Sequence, residues 1–236
     1  MTEAALYLIP VGLGNPDFSR VLPAYNKLVV DGIRHFIVEE VRTARRFLRQ
    51  LNPSFDIDSC TFYPMGKHSN SSLYASYLRP LAEGMPIGVV SEAGCPAVAD
   101  PGAGIVSIAQ QKGYKVVPLV GPSSILMAVM GSGLSGQSFA FVGYLPIDPT
   151  ERTRRIKLLE SRAMQEGQTQ LCIETPYRNH KLFDTLTAVL APRTRLCIAA
   201  GITTDNEWIR TCTVAEWKRI ALPDLSHTPS IFLFGK

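Results

Sequence analysis

The sequence is poor in the residues that most often announce a chemistry. Its five cysteines, Cys60, Cys95, Cys172, Cys197 and Cys212, are odd in number, widely spaced and free of any C-x-x-C pair. That argues against a disulfide framework and a cysteine zinc site, and for a reducing compartment. The four histidines (His35, His68, His180, His227) show no metal spacing. No apolar run approaches the ~18 residues of a membrane span. The opening MTEAALYLIP has neither the basic start nor the long apolar core of a signal peptide. The expectation is a cytoplasmic, soluble protein without metal or membrane association. The third glycine of a G-x-G-x-x-G fingerprint is replaced by Asp17 in GLGNPD, and no G-K-[ST] occurs. A dinucleotide fingerprint and a Walker A loop are both excluded. Charged residues make up only 19% of the chain and the net charge is +4, which permits an anionic partner without demanding one.

What is present is apolar and periodic. Hydrophobic residues supply 46% of 236 positions, enough for two modest domains. Strand-like runs at 6–10, 35–38, 86–91 and 115–119 alternate with helical patterns at 21–30, 41–51, 71–82 and 105–112. Such alternation predicts a mostly parallel sheet, and runs that are apolar throughout predict cover on both faces. The pattern changes near residue 120. GPSSILMAVMGSGLSG reads as a helix opened by Ser123 or Ser124 and stopped by Gly131 or Gly133. Five strand-like runs follow, SFAFVGYLP, TQLCIETP, RLCIAAGIT, EWIRTCTV and PSIFLFGK, with helical stretches only at 150–166 and 179–190. The reading is an α/β protein with a parallel-sheet domain over 1–120 and a mixed-sheet domain over 121–236.

Three loops rich in Gly and Pro follow predicted strands: PVGLGNPD, SEAGCPAVADPG and VGPSS. In a parallel sheet they share one edge, the edge where open α/β sheets bind ligands. Glycine there admits a ligand close to the backbone, and proline fixes the loop.

These loops, with further segments, carry a resemblance. LYLIPVGLGNPDFS, VEEVR, VVSEAGCPAVADPG, VPLVGPSS, FVGYLP and IETPYR occur in order along nearly the whole chain. They resemble the tetrapyrrole methylase superfamily of S-adenosylmethionine-dependent methyltransferases, most of all its bacterial branch that methylates a cytidine 2′-hydroxyl of small-subunit ribosomal RNA. The resemblance implies the two-domain tetrapyrrole methylase-like fold, a cofactor cleft between the domains and a homodimer. The implied S-adenosyl-L-methionine pocket uses Leu13, then Glu92, Ala93, Gly94, Cys95 and Pro96, then Ser123, Ser124 and Ile125. From the second domain it takes Glu174, Thr175, Pro176, Ala199, Ala200, Thr228 and Pro229. The sequence departs from the branch where A-R-E-L-T-K-x-x-E reads AAGITTDNE, so that Ala200, Gly201 and Thr204 stand at its Arg, Glu and Lys positions. It departs also at Glu40 and Val41 (A-E-D-T-R), at Glu92 (S-D-A-G) and at Tyr177 (the His of x-H-R).

Methyl transfer needs acceptor and methyl held about 3 Å apart in line. For a hydroxyl acceptor a general base adds about 10²–10⁴-fold. Glu39, Glu40 and Glu92 are the acidic candidates, with helix capping as the competing role. The catalytic assignment implied by the resemblance is Glu40 and Arg42. Arg42, Arg45, Arg46 and Arg49 recur at i, i+3, i+4 and i+7, a stripe that suits either RNA phosphates or solvent. Arg152, Arg154, Arg155 and Lys157 read as a solvated helix start, His68 as a surface-loop residue, and Trp208 and Trp217 as core or dimer-interface residues. The function expected is methyl transfer from S-adenosylmethionine, with RNA or a ribosomal subunit as acceptor. The alternatives are a small molecule such as a tetrapyrrole, or a weakened protein that binds the cofactor or its product.

Overall fold

A computed structural model of the chain describes residues 2–65 and 73–236. The expectations for His68 and for the start of a helix at residue 71 lie outside the described residues. The chain divides into two compact units, Met1–Ser123 and Ser124–Lys236.

The first unit is a five-stranded, all-parallel sheet. Its strands are β1 (Leu6–Ile9), β2 (His35–Val38), β3 (Thr61–Pro64), β4 (Ile87–Val90) and β5 (Val116–Pro118), in the order β3-β2-β4-β1-β5. β1 and β4 are buried at every residue, as a sheet covered on both faces requires. Helices α1 (Ala24–Asp31), α2 (Val41–Leu51), α3 (Tyr74–Tyr77), α4 (Arg79–Ala82) and α5 (Gly102–Gln111) connect them. One core packs Ile9, Val30, Phe36, Phe47 and Leu48; a second, on the other face, packs Leu6, Ile37, Ile87 and Ile105.

Several sequence expectations need correction here. The edge strand β3 was not anticipated, because it is short, half exposed and ends in a proline; such residues are tolerated where one side of the strand has no partner. The helix expected over 71–82 is interrupted at Leu78 between α3 and α4. Pro80 has no N–H to continue the ladder and its ring crowds the preceding turn. The helix expected from residue 21 starts at Ala24, after Pro23, and Phe18–Arg20 instead form a 3-10 turn whose Ser19 N–H donates to Asp17. α5 begins three residues before its expected start at 105, because the Gly102 N–H donates to the Asp100 carboxylate at 2.8 Å.

The second unit is a mixed sheet of β6 (Phe139–Tyr144), β7 (Thr169–Ile173), β8 (Arg195–Ala200), β9 (Trp208–Thr213) and β10 (Ser230–Gly235), ordered β6-β7-β10-β8-β9. β6 and β7 are parallel; the remaining pairs are antiparallel, as the scarcity of helices among these runs led one to expect. Its helices are α6 (Ser124–Ser132), α7 (Pro149–Glu166), α8 (Asn179–Val189) and α9 (Val214–Trp217). α6 stops at Gly133, whose φ of +65° a residue with Cβ adopts reluctantly. α7 opens with Asp148 accepting from the Glu151 N–H at 2.9 Å. Arg152 is not the solvated residue expected: it is 7% exposed and donates to the carbonyls of Pro146 (2.7 Å) and Ile147 (3.2 Å). Trp217 lies in the core, its indole N–H donating to the Leu196 carbonyl at 2.8 Å.

Candidate functional site

Parallel strands send their C-terminal loops to one edge, and in the first unit the three glycine-rich loops meet there. The Val11 N–H donates to the Gly94 carbonyl at 3.0 Å, bridging the loops after β1 and β4. Ser91 Oγ donates to the same carbonyl at 2.8 Å. Cys95 Sγ approaches the Pro122 carbonyl at 3.4 Å, tying in the loop after β5. Burial pushes the Cys95 thiol above its ordinary pKa, away from nucleophilic use. Gly94 has φ +69°, and a Cβ there would meet Leu13 Cδ2 at 3.2 Å and the Pro122 carbonyl at 3.4 Å. Leu13, Gly94 and the loop leading to Ser123 therefore converge. Glu92 and Ala93 stay exposed, while Pro96 is buried beneath them.

The descent from this loop into α5 is strained. Ala97 and Ala99 hold φ of +65° and +62°, a region L-residues adopt reluctantly. Asp100 fixes the turn by accepting from the N–H groups of Ala97 (2.7 Å) and Gly102 (2.8 Å). Burial raises its carboxyl above the usual range, although both donors pull the other way.

The start of α2 carries the acidic candidates. Glu40 is the N-cap of α2, its Oε1 accepting from the Arg42 N–H at 3.1 Å. Thr43 Oγ1 lies 2.9 Å from the Glu40 carbonyl and donates to Glu92 Oε1 at 2.6 Å. The arginine stripe does not act as one face. Arg45 pairs with Asp58 and lies over the Phe62 ring, and Arg49 donates to the Pro53 carbonyl. Arg46 lines a cavity of about 360 Å³ shared with Gly12, Phe18, Thr43, Gln50 and Glu92. Sequence reasoning missed Gln50, Phe18 and Thr43. The signal was available, since Thr43, Arg46, Phe47 and Gln50 also recur at i, i+3, i+4 and i+7, but the charged stripe masked it.

In the second unit the candidate residues gather at one end of the sheet. Ala200 closes β8 and pairs with Ser230, the first residue of β10, while Ile231 pairs with both Ala199 and Ile173, which precedes Glu174. The Gly201 N–H donates to the Pro229 carbonyl at 3.0 Å, and Asn179 Nδ2 donates to the Thr228 carbonyl at 2.9 Å. Glu174 accepts from the Thr175 N–H and lies 3.7 Å from Arg178. Thr175 Oγ1 and Asn179 Oδ1 are buried without a hydrogen-bond partner among the described residues, an arrangement that suits a polar ligand. Ser124 and Ile125 lie in the first turn of α6, which packs on β8, β9 and β10. Among the described residues no cluster of His, Cys, Asp and Glu could hold a metal, and no helix is long and apolar enough to cross a membrane.

Comparison with known proteins gives this geometry a class. The solved structure of the methyltransferase CobJ superposes with a TM-score of 0.65 at 16% identity, covering 98% of this chain and 94% of its own. Uroporphyrin-III C-methyltransferase from Thermus thermophilus, complexed with S-adenosylhomocysteine, superposes at 0.55 and 17% identity, covering 98% and 97%. At these identities they establish the fold, which is that of the tetrapyrrole methylases. No family model matches the chain. Among curated proteins, the ribosomal RNA small subunit methyltransferase I of Vibrio cholerae is 30% identical over 216 residues, 89% of this chain and 69% of that protein. The Escherichia coli O157:H7 protein of that name is 27% identical over 220 residues, covering 91% and 71%. The chain belongs to the ribosomal RNA small subunit methyltransferase I family and is a methyltransferase.

Proposed function

We propose that the chain transfers a methyl group from S-adenosylmethionine to small-subunit ribosomal RNA, at a ribose hydroxyl. The observation that carries this reading is the convergence of the three loops into a backbone cradle at Gly94, where the absence of a side chain lets Leu13 and the Pro122 carbonyl pack close to the main chain. The relatives' names supply the acceptor class, and a neighbour's bound S-adenosylhomocysteine supplies the donor class.

In this reading Leu13, Glu92, Ala93, Gly94, Cys95, Pro96 and Ser123 supply the first unit's share of the cofactor contacts. Ser124, Ile125, Glu174, Thr175, Pro176, Ala199, Ala200, Thr228 and Pro229 supply the second unit's share. The buried Thr175 Oγ1, which has no partner among the described residues, supports a polar ligand there. The bound sulfonium supplies an already activated methyl group. The chain's own residues orient the acceptor and receive its proton. Glu92 is the base in this proposal, because its carboxylate is exposed and lines the cavity. Glu40 caps α2 and positions Thr43, and the exposed Arg42 faces the RNA phosphates. The protein works as a cytoplasmic homodimer in this reading; the outward apolar side chains of Leu126 and Met130 on α6 support self-association.

The experiment has two stages. Calorimetry with S-adenosylmethionine and S-adenosylhomocysteine tests the donor, and no binding below millimolar concentration sinks the proposal. Radiolabelled methyl transfer to small ribosomal subunits from a strain lacking the gene tests the acceptor. A second reading, a binding protein with weakened catalysis, is favoured by one observation. At the positions where the family pattern has Arg and Glu, Ala200 is 2% exposed and Gly201 holds φ +58° in a turn closed by Thr204 Oγ1 donating to its carbonyl. Donor binding with no transfer to subunits would select that reading.

A further inference from the structure

Of the residues that line the cavity at Arg46, only Glu92 belongs to the cofactor set. The walls of the cavity are the loop after β1, one face of α2 and Glu92. About 360 Å³ is of the size that holds a small ligand. Phe18 is half buried and lies tilted against the buried Phe47, ring centroids 5.4 Å apart, which leaves an aromatic surface toward the cavity. Gln50 offers an exposed amide, a donor and an acceptor side by side. Arg46 is exposed and makes no ion pair with any described residue, whereas Arg45 is occupied by Asp58 and Arg49 by the Pro53 carbonyl. Glu92, held by Thr43, closes the end nearest Gly94.

We infer that this cavity seats the acceptor: one nucleotide of RNA turned out of its stack, its base against Phe18 and read by Gln50, its phosphate met by Arg46. An aromatic wall, an amide fork and an unpaired guanidinium are the groups that bind an unstacked nucleotide. The cavity carries one charge of each sign, Arg46 to meet a phosphate and Glu92 to receive a proton. The assignment rests on the methyl-transfer reading and adds the residues that choose the acceptor. Gln50 and Arg46 are then specificity determinants, and Glu92 lies where a hydroxyl of the seated nucleotide would lose its proton.

Saturation-transfer NMR on the full chain, saturated with S-adenosylhomocysteine, would use millimolar nucleoside 5′-monophosphates as the probe. The expected result is contact to base protons of at least one nucleotide. Gln50→Ala and Arg46→Ala should each weaken that contact roughly ten- to hundredfold, the range of one base- or phosphate-directed contact. The affinity for S-adenosylhomocysteine should stay within about twofold, which also reports that the variants fold. No nucleotide contact in the wild-type chain, or unchanged nucleotide affinity in both variants, overturns the assignment. Nucleotide binding is read without turnover, so a chain that binds nucleotides yet fails to methylate subunits would sink the functional proposal and leave only the nucleotide site itself standing.

Discussion

Thr43 Oγ1 donates a 2.6 Å hydrogen bond to Glu92 Oε1, joining the first turn of α2 to the loop after β4 across 49 residues of sequence. The carboxylate is thereby held near the N-terminal end of α2, where the helix dipole favours negative charge. The same hydroxyl lies 2.9 Å from the carbonyl of Glu40, the residue that caps the helix. One threonine thus sets the position of the cap and of the proposed base.

Thr43→Val keeps the shape and removes the hydroxyl. Methyl transfer to small subunits should fall about tenfold, the scale of one lost hydrogen bond to a charged group, with the Kd for S-adenosylhomocysteine unchanged. Glu92→Gln should cost more, roughly 10²–10⁴-fold in kcat. A Glu92→Gln variant with wild-type kcat removes Glu92 from the chemistry.

Gly94→Val places a branched side chain at φ +69°, against Leu13 and the Pro122 carbonyl. The strain is of order 1–3 kcal/mol, which a two-sheet protein survives. The expected outcome is loss of S-adenosylhomocysteine binding in calorimetry with a folded circular-dichroism spectrum and a cooperative melt. Unchanged affinity would remove that loop from the cofactor site.

Asp100 gives a pH dependence whose sign is fixed by burial. Its folded-state pKa is raised above 3.8, so the folded carboxyl binds its proton more tightly than the unfolded one. Its contribution is fully present below the unfolded value and is lost as pH rises through the folded value. Asp100→Asn keeps an oxygen for the Ala97 and Gly102 N–H groups and cannot ionise. It should equal or exceed wild-type stability at pH 7 and lose more of it on acidification, steepening the acid limb of a urea-midpoint against pH plot. Asp100→Ala leaves both donors unmet and should lose about 1–3 kcal/mol.

Cysteine reactivity should divide by burial. Cys172 is wholly enclosed and its thiol is pushed up to about 12; Cys197 is raised as well. Both should resist iodoacetamide in the native chain and react on unfolding, as read by mass spectrometry, while Cys60 and Cys212, which retain some exposure, react first. Rapid native alkylation of Cys172 would contradict the packing of β7.

Much of this was legible because the hydrophobic pattern and the site agree. β2 and α2 fall where the sequence puts them, since HFIV is a continuous apolar run and Glu40 supplies a cap. The three loops were legible as one edge, because parallel order alone sends them there. What sequence could not provide came from partners distant in the chain. The edge strand at Thr61 owes its existence to pairing with β2, and His35 Nδ1 meets the Tyr63 hydroxyl at 3.1 Å across that pair. Arg152 looked solvated until the carbonyls of Pro146 and Ile147 turned toward it. Arg46 and Arg49 are alike in sequence and differ only in what lies opposite them.

The bridge from Val11 to Gly94 has a thermodynamic meaning. The cradle has no local precursor, because its walls come from three crossovers that close only when β1, β4 and β5 stand side by side. A ligand seated there is bound by the assembled sheet and by no fragment of it. Its affinity and the unfolding free energy of the first unit are therefore linked by mass action. Any substitution that loosens β1 from its neighbours will surface as weaker ligand binding well before the fold itself is seen to fail.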